Sequence, residues 1–97
     1  MLTYVVLVNF TDQGIRNVKD SPKRAEAFRQ MAKTFGATLK EFYWTQGKHD
    51  IITIVEAPDE ASATALNLSL GALGNVRTES LRAFSAAEMT EIVGKML

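Results

Sequence analysis

From Thr3 to Phe10 the chain is apolar on both alternating sets, with Tyr4, Val6, Val8 and Phe10 on one side and Val5 and Leu7 on the other. Such a run fits a central strand buried on both faces. Thr11-Asp12-Gln13-Gly14 ends it with turn formers. The period then changes: Ala25, Phe28, Met31, Ala32 and Phe35 recur at three- and four-residue steps and predict one apolar helical stripe. Asp20-Ser21-Pro22 starts that helix with a capping side chain and a proline in the first turn, and Gly36 stops it in a left-handed conformation. Two strands follow, about Thr38–Thr45 and His49–Glu56, joined by a tight turn at Gln46-Gly47-Lys48. Pro58-Asp59 opens a second, alanine-rich helix with Leu66, Leu70 and Leu73 at helical spacing, ended by Gly71 and Gly74. Asn75 to Phe84 reads as a more polar edge strand, whose charges discourage stray pairing. Ser85 with Glu88 forms a capping box, and Met89, Ile92, Val93 and Met96 give a last helix an apolar face.

The order β-α-β-β-α-β plus a terminal helix predicts an α+β fold of ferredoxin-like type. Two right-handed crossovers place four antiparallel strands in one sheet with both long helices on one face. The hairpin turn admits at least two registers, and a slip of one residue moves every side chain to the other face. A three-residue loop pairs Thr45 with His49 and is the preferred register, because it sorts large apolar from mixed residues. It puts Phe42, Trp44, Ile52 and Ile54 on one face, and Tyr43, Thr45, His49, Ile51, Thr53 and Val55 on the other. Two helices cover one sheet face, yet Val5, Leu7, Ile51 and Val55 then emerge on the second. Left in water, each forfeits roughly 1.5–3 kcal/mol. That face therefore needs a cover: a second copy of the chain, the terminal helix, or a ligand in a cavity between them.

Composition narrows the functional classes. Ninety-seven residues, 46% hydrophobic and 23% charged, make one domain (1–97) with a single core. Eleven basic and eleven acidic residues produce no global field toward nucleic acid or an anionic membrane. The absence of cysteine excludes disulfides, thiolate catalysis and sulfur-based zinc sites. The apolar N-terminus lacks a basic leader and is interrupted by polar residues well short of a membrane span, which points to a cytoplasmic protein. An RNA-binding sheet of the same topology is disfavoured, since HDIITIVE carries no exposed aromatics for base stacking and no basic stripe is present.

The chemically interesting side chains cluster on the hairpin. His49 is the only histidine, with an ordinary pKa near neutrality, and can serve either as a general base in a cavity or as a partly exposed ring near the turn. Asp50 points away from it on a regular strand, so the two form no dyad. Trp44 is expected to fill the helix-covered core, while Tyr43 places its hydroxyl on the open face. Arg77 and Glu79 share a face of the last strand; they can pair with each other, or Arg77 can take a substrate carboxylate. With Asn9 they complete a candidate ligand-binding set of Asn9, Tyr43, His49, Arg77 and Glu79. Val5, Leu7, Ile51 and Val55 form the candidate interface. Lys19, Lys23 and Arg24 surround the first helix start, but no glycine-rich loop makes a phosphate site of them. One histidine and no cysteine leave no metal-ligand spacing, no cofactor is implied, and no serine lies in a nucleophile elbow.

Pro22-Lys23-Arg24, Tyr43-Trp44-Thr45, Gly47-Lys48-His49-Asp50, Glu56-Ala57-Pro58 and the run from Gly71 to Glu79 resemble the GYD-domain family of small bacterial and archaeal proteins. The resemblance covers Tyr4 to Glu88. The family's Gly-Tyr-Asp or Gly-x-Tyr-Asp signature has histidine in place of tyrosine here, so a role that needs a phenol at that point is not implied. The resemblance does imply a branch of the dimeric α/β-barrel superfamily, in which two ferredoxin-like sheets face each other. Enzyme status stays open on these grounds. The expected functions are a homo-oligomer with a small organic ligand between the sheet and its cover, or a structural or regulatory homo-oligomer without catalysis.

Overall fold

The computed structural model describes all 97 residues. The elements are β1 (Leu2–Phe10), α1 (Asp12–Arg16), a 3-10 turn (Val18–Asp20), α2 (Ser21–Thr34), β2 (Thr38–Trp44), β3 (Ile51–Ala57), α3 (Glu60–Ala72), β4 (Val76–Ala83) and α4 (Ala86–Val93). The strands form one antiparallel sheet in the order β2-β3-β1-β4. β1 and β3, the most aliphatic strands, take the centre, and the charged β4 takes an edge, as their compositions require. The core lies between the sheet and the two long helices: Val6, Val8, Ile51 and Val55 meet Phe28 and Ala32 of α2 and Ala63 and Leu66 of α3. This is the ferredoxin-like fold.

The segment after β1 departs from the simple turn expected of it. Thr11 Oγ1 accepts the Gly14 N–H at 3.1 Å and so caps the short helix α1. Thr11 also ties α1 to the foot of β4, its N–H donating to Asn75 O and its hydroxyl to Gly74 O. The approach is so close that a Cβ on Gly14 would stand 1.9 Å from Asn75 O, which only glycine permits. The 3-10 turn runs directly into α2. Asp20 at its N-cap makes no side-chain capping bond, so proline in the first turn is the operative start signal. Gly36, at φ +70°, follows the helix as its composition predicts.

The hairpin register differs from the preferred one. Trp44 opposes Ile51, Phe42 opposes Thr53 and Tyr43 opposes Ile52. The Thr45 N–H donates to Asp50 O at 2.8 Å, so the loop is the four residues Gln46 to His49, with Gly47 at φ +98°. Asp50 decides this. Its N–H donates to Val8 O, and its carboxylate Oδ2 accepts the Phe10 N–H at 2.8 Å, which binds it to β1 and lengthens the loop by one residue. Every β3 side chain is thereby transposed. Ile51, Thr53 and Val55 lie in the core, and Ile52 and Ile54 emerge on the open face. A bulge between Leu39 and Glu41 shifts β2 so that both Leu39 and Phe42 face the helices. Thr53 Oγ1 donates to the Glu41 carbonyl at 2.6 Å and satisfies it at the irregularity.

α4 starts at the Ser85–Glu88 capping box. None of its residues is buried, and Met89 and Val93 are about half exposed. It therefore does not lie across the open sheet face, and the terminal helix is removed as that face's cover within the chain. Its base is anchored by Arg82, which reaches Glu88 at 3.4 Å and stacks over Phe84 with 4.6 Å to the ring centroid.

Candidate functional site

The open face is built from alternate residues of all four strands. Cross-strand pairs Val5–Ile54, Val5–Leu81 and Leu7–Ile52 unite its centre into one aliphatic patch. In the isolated chain Val5, Leu7, Ile52 and Ile54 are only half-buried and Leu81 is exposed. Val5 and Leu7 thus lie on the face expected of them. Ile51 and Val55 do not: at 4% and 3% exposure they belong to the core, and Ile52 and Ile54 replace them.

Polar groups gather at one end of this patch. Asn9 opposes Arg77 in the ladder, and Glu79 opposes Leu7. His49 Nδ1 lies 2.9 Å from Asn9 Oδ1, and Asn9 Nδ2 donates to Lys48 O, so the hairpin loop is folded against the end of β1. Tyr43 opposes Ile52 on the same face and donates its hydroxyl to Glu41 Oε2 at 2.9 Å. That bond, together with the Glu41 charge, raises the Tyr43 pKa above the ordinary phenol value. All five candidate residues therefore share the open face. Arg77 and Glu79 make no ion pair; the pairs in the chain are Glu26–Arg29, Lys40–Glu56 and Arg82–Glu88. His49 and Asp50 are directed to different partners, Asn9 and the Phe10 backbone. Trp44 lies on the helix side but is 47% exposed, with its ring edge-on to Phe42 and its N–H on Ser21 Oγ. No cluster of three side chains suited to a metal ion is present. No helix is long and apolar enough to cross a membrane.

A concavity with a mostly apolar lining opens on the other face, between α2, α3 and the sheet, beside Phe28, Phe42 and Leu70. Sequence reasoning placed a cavity on the open face and missed this one. Ala25 and Ala27 of α2 line it, and α3 contributes Leu70.

Comparison with known proteins fits this geometry. Residues 4–93 match the GYD domain. The chain is a member of the GYD domain family. A Thermus thermophilus protein named glutamine synthetase and cystathionine beta-lyase binding protein is 31% identical over 90 residues, covering 92% of this GYD chain and 95% of the relative. Among solved structures, MtbAldR superposes with a TM-score of 0.68 at 15% identity over 87% of this chain, which spans 52% of that longer protein. TTHA0845 from Thermus thermophilus superposes with a TM-score of 0.58 at 24% identity, covering 89% of this chain and 96% of its own. These two similarities establish the shared fold.

Proposed function

We propose that this GYD protein is a regulatory homo-oligomer without catalysis of its own, assembled through the open face of its sheet and acting by binding other proteins. The observation that carries the reading is the contiguous patch of Val5, Leu7, Ile52, Ile54 and Leu81, which no element of the chain covers. Its cover in a paired sheet is the same patch of a second copy, since a two-fold interface must be self-complementary. Two observations support a protein partner beyond that pair. A 31% identical relative is named for binding two enzymes. Met89, Ile92 and Val93 on α4 also present apolar side chains to the surroundings.

Size-exclusion chromatography with light scattering at micromolar concentration is expected to give a dimer or larger, and Leu7→Asp a folded monomer, because a charge desolvated in that interface is unpaired. A monomeric native protein sinks the reading, as does a Leu7→Asp variant that keeps the native assembly. A second reading rests on the gathering of Asn9, Tyr43, His49, Arg77 and Glu79 at one end of that face. There a small organic molecule would sit between the facing sheets, its acidic group on Arg77. A crystal structure of the oligomer with no enclosed volume beside Tyr43 and Arg77 ends this second reading.

A further inference from the structure

The cavity on the helix side has a volume of about 230 Å³ and lies on the sheet face opposite to the assembly surface. Val8, Phe10, Phe28, Met31 and Leu70 are among the 12 hydrophobic residues of its wall. Engineered dry cavities of about 150 Å³ take up benzene. The space here therefore suits an aromatic ring with a short side arm, or an alkyl chain of similar bulk.

Its polar atoms supply the selectivity. Ser21, Arg24, Thr53 and Asn75 also line it. Ser21, itself 4% exposed, accepts the Trp44 N–H on its Oγ at 2.9 Å, and no protein group takes its own O–H. Asn75 Oδ1 accepts from Gln13 Nε2 at 3.0 Å, and its Nδ2 hydrogens have no protein acceptor. The Thr53 hydroxyl is committed to Glu41 O. Arg24 donates through Nη1 to Asn17 O at 2.8 Å and through Nη2 to Gly14 O at 3.2 Å, and takes part in none of the chain's ion pairs. Guanidinium carries five N–H donors, so carbonyl contacts leave several unused and the charge uncompensated. The unused hydrogens on Ser21, Asn75 and Arg24 are donors, and the only charge in the lining is the cationic Arg24, although the Ser21, Thr53 and Asn75 oxygens each keep a free lone pair. Such a set recognises an anionic acceptor, and the planar guanidinium fork matches a carboxylate.

We propose that this cavity is a binding site for a small hydrophobic carboxylate, its ring or alkyl part among Phe10, Phe28 and Leu70 and its carboxylate on Arg24, aided by Ser21 and Asn75. A purely structural Arg24, which only ties α1 to α2 through Asn17 and Gly14, predicts no preference for charge. The probes are 3-phenylpropionate and its neutral counterpart 3-phenylpropanamide, titrated into the full chain by calorimetry and by amide NMR. The expected result is saturable uptake of the acid with a Kd at or below roughly 1 mM, with shifts centred on Val8, Phe28 and Leu70, and much weaker uptake of the amide. Arg24→Gln is expected to weaken the acid roughly tenfold or more and leave the amide unchanged. Ala25→Leu, which adds bulk at a partly buried lining position, is expected to abolish both while circular dichroism stays native, and Leu70→Phe serves if that variant does not fold. Leu7→Asp is expected to bind the acid as the native chain does, which separates this site from the assembly face whatever the oligomeric state proves to be. The proposal is overturned by no saturable uptake, by equal affinity for acid and amide, by an Arg24→Gln variant with native affinity for the acid, or by loss of binding in folded Leu7→Asp.

Discussion

On β3, Ile51, Thr53 and Val55 are at most 4% exposed, whereas Ile52 and Ile54, one residue along the same strand, remain in contact with solvent. The two sets differ little in chemistry. What separates them is the side of the sheet from which they emerge, because α2 and α3 both lie on one side. Burial on the helix side holds the single chain together. The equivalent aliphatic surface on the other side adds little to that chain's stability and is free to hold copies together. A sheet with helices on one face only therefore buries one set of its apolar residues in folding and leaves the other set for the proposed assembly.

The sharpest way to break that division is to place the same charge on each side. Ile51→Asp is expected to abolish folding, because a buried carboxylate there has no partner. Ile54→Asp is expected to leave far-UV circular dichroism native and abolish self-association. If Ile51→Asp loses only the oligomer and Ile54→Asp fails to fold, the two faces have been assigned the wrong way round, and if both lose only the oligomer the division itself fails. A smaller probe of the helix side is Leu66→Ala, which removes a side chain 1% exposed. It is expected to cost about 2–5 kcal/mol in urea denaturation, and a loss far below that range contradicts a close-packed core around Leu66. Gly14→Ala tests the seam between α1 and β4. The clash with Asn75 O is expected to cost about 1–3 kcal/mol, while leaving the oligomer intact if the open face alone assembles it.

The smallest expected effects come from two helix caps, one on each kind of element. Asp59 accepts the Ser62 N–H at 2.7 Å, and Glu88 accepts the Ser85 N–H at 3.0 Å, with Arg82 adding to the second. Both carboxyls are held below their ordinary values, in each case chiefly by the backbone hydrogen bond. A group whose pKa is depressed on folding contributes stability above its unfolded value and loses that contribution as pH falls through the folded one. Acidification below about pH 4 is thus expected to weaken both helix starts. Loss of the Asp59 cap lowers the midpoint of the whole transition, because α3 packs on the core. Loss of the Glu88 cap frays α4 locally, seen as hydrogen exchange at Met89 and Thr90 with an unchanged global midpoint. An α4 that melts only together with the sheet contradicts its independence from both faces.

Much of this was legible along the chain, and the failures share a cause. The stripe from Ala25 to Phe35, the Ser85–Glu88 box and the polar last strand all reappear, because each depends on residues within about one turn or one strand of each other. The hairpin register was misread because the loop length depends on Asp50 bonding to β1, forty residues away at Phe10. The turn sequence holds no trace of that bond. The open-face placement of Ile51 and Val55 failed with it, since a one-residue slip inverts a strand. Trp44, expected in the core, is held near the helix start by Ser21, and the bulge in β2 lies just upstream. Asn9, Tyr43, Arg77 and Glu79 were placed on the right face by alternation alone. The contact between Asn9 and His49 needed the folded loop.

Local periodicity determined the number, type and order of the elements, and with them a four-stranded sheet whose helices shield one side. That much follows from short-range sterics and from the spacing at which apolar side chains recur. Tertiary structure alone decided which isoleucines of β3 face the helices, that α4 lies apart from the sheet, and that a cavity lined by α2, Leu70 of α3 and the sheet opens beside Arg24. Each of those depends on which distant groups come within hydrogen-bonding or packing reach, and no pattern along the chain encodes that distance.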